Sequence, residues 1–169
     1  MKASRALLLL AVVLCAGCFE DGSPTAPSEP RADVRINDVT FTATSVSLSR
    51  DFMPIVLVPG RDGGGALTGV IAVGAANRGS REARFSVAAS VYDHAGTRHL
   101  ATAVPRLAGR LAVWDGSIAP GQGLEFEVAL SNGPYLAVGS LAFVVLQFTA
   151  QDGDDGTIRT EYVEITASY

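Results

Sequence analysis

The stretch "ARFSVAASVYD" (residues 83–93) decides the fold class. Phe85, Val87, Ala89 and Val91 take every second position, and Arg84, Ser86, Ala88 and Ser90 fill the alternate ones. Successive side chains of a strand point to opposite faces, so this spacing predicts a strand with one buried and one wet face. "LEFEVAL" (124–130) repeats the pattern, with Leu124, Phe126, Val128 and Leu130 inward and Glu125 and Glu127 outward. "LAFVVLQFTA" (141–150) is apolar on both faces, which predicts a central strand. "LTGVIAVGAA" (67–76) adds another, as does 157–168, where Val163 and Ile165 alternate with Tyr162 and Glu164.

The segment before these is less regular. Its apolar residues sit at Val34 and Ile36, then Val39 and Phe41, then Val46 and Leu48. The phase shifts twice, and each shift predicts a bulge or kink, because a one-residue slip swaps the faces. Such a first strand is able to cross from one sheet to the other. Residues 52–58 predict a short edge strand limited by Pro54 and Pro59. Residues 98–104 and 110–114 predict short strands on either side of Pro105. Turn residues punctuate the runs at Asn77-Arg78-Gly79, at 93–96, at Pro120-Gly121 and at 152–156, and "RDGGG" (61–65) predicts a loop. No helical period of useful length appears. Seven to nine short strands so spaced predict an all-β, antiparallel two-sheet sandwich over residues 33–169.

Asn77, Gly79, Tyr92, Asp93, Gly96, Pro120, Gly121 and Phe126 follow a recognisable order: a strand ending Asn-x-Gly, a strand ending Tyr-Asp before a Gly turn, then Pro-Gly before an apolar strand. In this the stretch 67–130 resembles the FxLYD and related bacterial immunoglobulin-like domains. Ala89 stands where the family has its Phe, and Val91 where it has Leu. The resemblance implies an immunoglobulin-like sandwich in an extracytoplasmic lipoprotein, and it implies no catalytic residues.

The start of the chain predicts the address. Lys2 and Arg5 precede an apolar run from Ala6 to Gly17, which as a helix measures roughly 18 Å against the ~30 Å of a bilayer core. A positive start, a short apolar run and small residues describe a signal peptide over residues 1–17. Ala16-Gly17-Cys18 resembles the bacterial lipobox, with Cys15 where Leu is commonest; cleavage after small residues by ordinary signal peptidase is the alternative. Cys18 is the expected lipidation site, carrying acyl chains of the palmitate type. Residues 18–32, with Pro24, Pro27 and Pro30, form the expected disordered tether, which at ~3.1 Å per residue holds the domain up to ~40 Å from the lipid. Cys15 and Cys18 are the chain's two cysteines, so the domain has no disulfide framework.

Beyond residue 17 the chain carries eleven arginines and no lysine against seventeen acids, a net of 11 − 17 = −6. The arginines form no stripe, which disfavours nucleic acid and an anionic membrane surface as partners.

Chemistry-bearing groups are sparse. His94 and His99 are the only histidines; with Asp93 and Ser90 or Ser117 they suggest a hydrolase triad, but there is no Gly-x-Ser-x-Gly elbow. No thiol of the domain supports a zinc site. Asp152, Asp154 and Asp155 invite a Ca²⁺ reading, but the loop pattern fails, because it puts Gln151, Gly153 and Asp155 on the ligand positions and Tyr162 where its Glu belongs. That leaves a hairpin turn with incidental acidity. Glu125 and Glu127, ~7 Å apart on one strand face, suit an inverting glycosidase only if their environments differ, and nothing in the sequence separates them. Residues 60–65 lack the Lys-Ser/Thr of a phosphate loop. Trp114 and Tyr135 are the candidate binding residues, able to stack on a sugar or anchor a partner if exposed. The expectation is therefore a membrane-anchored, non-enzymatic envelope module with a protein partner and without metal or cofactor. A glycan- or peptidoglycan-binding module is the alternative, and a small hydrolase comes third.

Overall fold

A computed structural model describes residues 29–51, 65–110 and 112–168. The signal peptide, Cys18, most of the tether, the 52–58 strand and residues 61–64 of the glycine-rich loop lie outside those residues. Ten strands follow in order: β1 (Asp33–Ile36), β2 (Val39–Asp51), β3 (Leu67–Asn77), β4 (Ala83–Asp93), β5 (Arg98–Leu107), β6 (Ser117–Ile118), β7 (Gly123–Ser131), β8 (Leu141–Ala150), β9 (Asp155–Arg159) and β10 (Val163–Ser168). The all-β expectation is met. Among the described residues no helix is long and apolar enough to cross a membrane.

The two-sheet sandwich needs correction. The hydrogen-bonded path runs β4-β5-β7-β3-β2-β10-β8 and returns from β8 to β4, closing a ring of seven strands. Two strands close it by changing neighbours midway. Strand β5 pairs with β4 through Arg98–Ala101 and with β7 through Thr102–Leu107. Strand β10 pairs with β8 at Val163 and Glu164, then with β2 at Ile165–Ser168. The β2–β10 ladder is parallel, so the sheet is not wholly antiparallel. Closure leaves few free backbone edges, which limits unwanted strand addition.

Three local expectations also change. The first phase shift is a tight turn at Asn37 (φ 53°) and Asp38, which separates β1 from β2, and the second is a bulge between Ala43 and Ser45. Residues 157–168 form two strands, because Thr160 leaves the ladder to bond Val144 through its backbone N–H and its hydroxyl. Residues 98–107 are one strand with Pro105 inside it. The carbonyl of Pro105 accepts the Trp114 N–H at 2.9 Å, and the described residues of 110–114 form the isolated bridge of Val113 to Arg106 rather than a strand.

The interior is aromatic at its centre. Phe41 of β2 stacks on Phe148 of β8 (centroids 4.2 Å apart) and meets Phe85 of β4 edge-on at 4.9 Å. Val91, Val128, Val144, Leu146, Ile158 and Ile165 surround them, each fully buried. The residues that carry the family resemblance do structural work. The Asn77 side chain accepts the Gly79 N–H and donates to the carbonyls of Arg81 and Ile118. Gly96 (φ 81°) and Gly121 (φ 68°) take turn conformations that glycine adopts without strain.

Candidate functional site

At the end of the ring where β2 finishes and β8 begins, the loop from Asn132 to Ser140 is clamped from both sides. Gly133 donates its N–H to the Leu67 carbonyl at 3.0 Å, and a Cβ there would lie 2.9 Å from that oxygen, so the approach requires glycine. Gly139 (φ 83°) donates to the Ile165 carbonyl at 2.8 Å, and Ile165 donates back to the Ser140 carbonyl at 3.0 Å. The Ser140 hydroxyl closes the turn on the Ala137 carbonyl at 2.6 Å.

Arg50 of β2 holds the loop from below and is 0% exposed. A buried cation is costly unless its hydrogens find acceptors. Its Nε donates to the Gly65 carbonyl at 3.1 Å and its Nη1 to the Leu136 carbonyl at 2.9 Å. Its guanidinium lies 3.5 Å from the centroid of the Tyr135 ring, a cation–π contact strengthened by desolvation. Tyr135, 54% exposed, and Val138, 38% exposed, are thus displayed on a fixed loop.

Trp114 is elsewhere. It is 4% exposed, its ring sits 4.2 Å from that of Phe126, and its Nε1 donates to the Ser117 carbonyl at 3.0 Å. An indole so buried offers no face to a sugar, which corrects its assignment as a binding residue. The two candidates are not brought together: Trp114 packs beside the first half of β7, and Tyr135 follows the end of that strand.

A second surface was not foreseen. On the outside of β4, β8 and β9, Tyr92 and Phe143 stack in parallel at 4.9 Å, with the Arg159 guanidinium 4.2 Å above Phe143. Tyr162 meets Phe143 edge-on at 5.1 Å, and His94 lies 5.9 Å from Tyr162. Leu100, Leu141 and Tyr162 are the exposed apolar members of this wall. The sequence carried two signals for it: "LAFVVLQFTA" is apolar on both faces, and Tyr92 is an aromatic in the wet phase of its strand.

The catalytic and metal candidates disperse. Asp93 accepts the Thr97 N–H at 2.8 Å through one oxygen and faces His99 Nε2 at 3.3 Å through the other. The Thr97 backbone hydrogen bond holds this carboxyl below its ordinary range, against some opposing desolvation, and His99 adds to the lowering. The Ser90 hydroxyl is bonded to Arg98, and His94 stands on Tyr162, so neither extends the pair into a triad. Asp152 accepts from Asn37 and Asp155 from Gln147. Among the described residues no three His, Cys, Asp or Glu side chains gather as metal ligands. At the opposite end a concavity of about 760 Å³ is lined by Asn37, Asn77, Arg81, Glu82 and Asp152, with the Asn77 amide already engaged in its own turn.

No family model matches the sequence, and no curated protein matches it either. Solved structures align with most of the chain at low identity. An uncharacterized β-sandwich protein of Clostridium difficile 630 aligns over 80% of this chain and 98% of its own, at 12% identity and a TM-score of 0.47. The yjhA protein of Bacillus subtilis aligns over 79% and 99%, at 12% identity and a TM-score of 0.46. A DUF4426 family protein of Pseudomonas aeruginosa PAO1 aligns over 82% and 100%, at 12% identity and a TM-score of 0.40.

Proposed function

We propose that this chain is an extracytoplasmic lipoprotein of a bacterial envelope, anchored through Cys18, whose domain is a non-catalytic interaction module. In this reading it is an immunoglobulin-like domain of the FxLYD type, and the Tyr135–Val138 loop is the surface offered to a protein partner. The observation that carries the reading is the clamp: buried Arg50 fixes a loop whose tyrosine stays exposed. A loop ordered before binding loses little conformational entropy on binding, and tyrosine is a common anchor at protein interfaces. The anchor rests on Ala16-Gly17-Cys18 after the short apolar run.

Two experiments test it. Labelled palmitate should enter the wild-type chain and not Cys18→Ser; uptake by the variant refutes the anchor. Cross-linking in the native cells should capture one dominant protein, lost in Tyr135→Ala while the domain stays folded. Recovery of glycan fragments alone, with the same sensitivity to Tyr135→Ala, would make the loop a sugar platform and refute the protein-partner reading.

A further inference from the structure

The apolar outer wall has an occupant of matching chemistry close at hand. Arg31 exchanges two backbone hydrogen bonds with Arg159, at 2.9 and 3.1 Å, so residues 30 and 29 enter the domain antiparallel to residues 160 and 161. Arg159 is itself part of the wall, stacked over Phe143, and Tyr162 follows three residues later. The chain therefore reaches the domain at the rim of the aromatic surface.

We infer that the wall bearing Leu100, Leu141 and Tyr162 is the docking surface for the chain's own Pro24–Pro30 segment. The prolines fall at 24, 27 and 30. A polyproline II strand has three residues per turn, so this spacing sets all three rings on one face. Tyr92 and Phe143 are themselves buried in the wall, and its exposed members, Tyr162, Leu141 and Leu100, are the side chains such a strand would meet, at low entropic cost because polyproline II is preformed. Lengths agree as well. From Pro24 to Pro30 is ~19 Å at ~3.1 Å per residue, and the strands β9, β8, β4 and β5 span three spacings, ~14 Å. A short linker supplies an effective concentration of about millimolar, enough to fill a weak site. Docking shortens the leash and covers the wall without touching the Tyr135 loop.

The test does not depend on the lipid. In the mature chain Cys18 is the single cysteine, and a nitroxide attached there replaces acylation. The expected result is selective loss of the NMR amide signals of Leu100, Leu141 and Tyr162, with those of Ala72 and Glu125 on the opposite wall retained. Replacing Pro24, Pro27 and Pro30 by Gly should restore the lost signals, and so should Leu100→Ser, a change at a residue 73% exposed that leaves the core intact. Equal broadening of both walls, or no response to these variants, overturns the inference. Broadening that appears only when labelled and unlabelled chains are mixed assigns the wall to a second copy and overturns it equally. Failure of palmitate labelling leaves this result unaffected, so the two readings fail separately.

Discussion

The two outer walls of the ring obey different rules. Outside β2, β3 and β7 lie Thr40, Thr42, Ala72, Gly74, Glu125 and Glu127, the polar and small residues that a solvated strand face requires. Hydroxyls there bond locally: Thr44 to the Ala72 carbonyl, Ser49 to the Thr68 hydroxyl. Outside β4, β8 and β9 lie Tyr92, Phe143, Val145 and Arg159, each 8% exposed or less although they belong to no part of the central core. Both walls share one interior, with Phe41 of the first touching Phe148 and Phe85 of the second. Ring closure thus dictates which residues point inward on either wall. What points outward depends on what each wall meets.

The interior is where the walls depend on each other most. Phe41→Ala removes the ring between them and should cost about 3–5 kcal/mol, read as a lowered midpoint in urea. A loss near 1 kcal/mol would mean that the walls are held by their ladders rather than by the shared core. Gly116 lies at a seam between them. Its φ is 86°, and a Cβ would fall 2.2 Å from the Phe85 carbonyl oxygen. Gly116→Ala should therefore cost about 2 kcal/mol or more. Gly121→Ala, with a similar φ and open space around it, should cost about 1 kcal/mol. Equal losses at the two glycines would discard the close approach as the cause.

The walls themselves are compared by one pair of substitutions. Phe143→Ala breaks the stack with Tyr92 and the contacts with Arg159 and Tyr162, and should cost about 2–3 kcal/mol. Ala72→Ser on the opposite wall should stay within about 0.5 kcal/mol. If Phe143→Ala is as mild as Ala72→Ser, the aromatic wall is a surface decoration and not a packed layer.

Strands with a regular two-residue period were legible from sequence: 83–93 and 141–150 match β4 and β8 to the residue, and 124–130 misses β7 by one at each end. The ring was not legible. Its closure rests on Ile165 lying beside Leu48, a pairing between distant segments that no local pattern encodes. Nor was the split at Thr160 read, although Ile158 stands out of phase with Val163 and Ile165; what causes it is the Thr160 hydroxyl, which accepts the Val144 N–H from a residue distant in sequence. Arg50 was readable in principle, since it shares the inward phase of Val46 and Leu48. Its charge, at the end of a strand, pointed to solvent. Trp114 and Tyr135 show the limit for sites. Residue type names what an aromatic can do, and burial, which the tertiary structure sets, decides that Tyr135 is displayed and Trp114 is packed on Phe126.

The smallest expected effect lies at the rim of the aromatic wall, where Asp93 closes the β4–β5 hairpin. Its carboxylate accepts the Thr97 N–H and faces His99, and the Thr97 bond is the main reason that its folded-state pKa is depressed. A carboxyl with a lower pKa folded than unfolded stabilises the fold fully above the unfolded value of about 3.9. That contribution disappears as the pH falls through the folded value. Asp93→Asn keeps the shape and removes the titration. The urea midpoints of wild type and Asp93→Asn should therefore differ by a constant amount from neutral pH down to about 5. The difference should then shrink as the medium becomes more acid than the ordinary carboxylate range. Equal midpoints at neutral pH would show that the hairpin is held by the geometry of the turn, which asparagine reproduces, and a difference that persists unchanged in acid would show that it does not arise from the charge of Asp93.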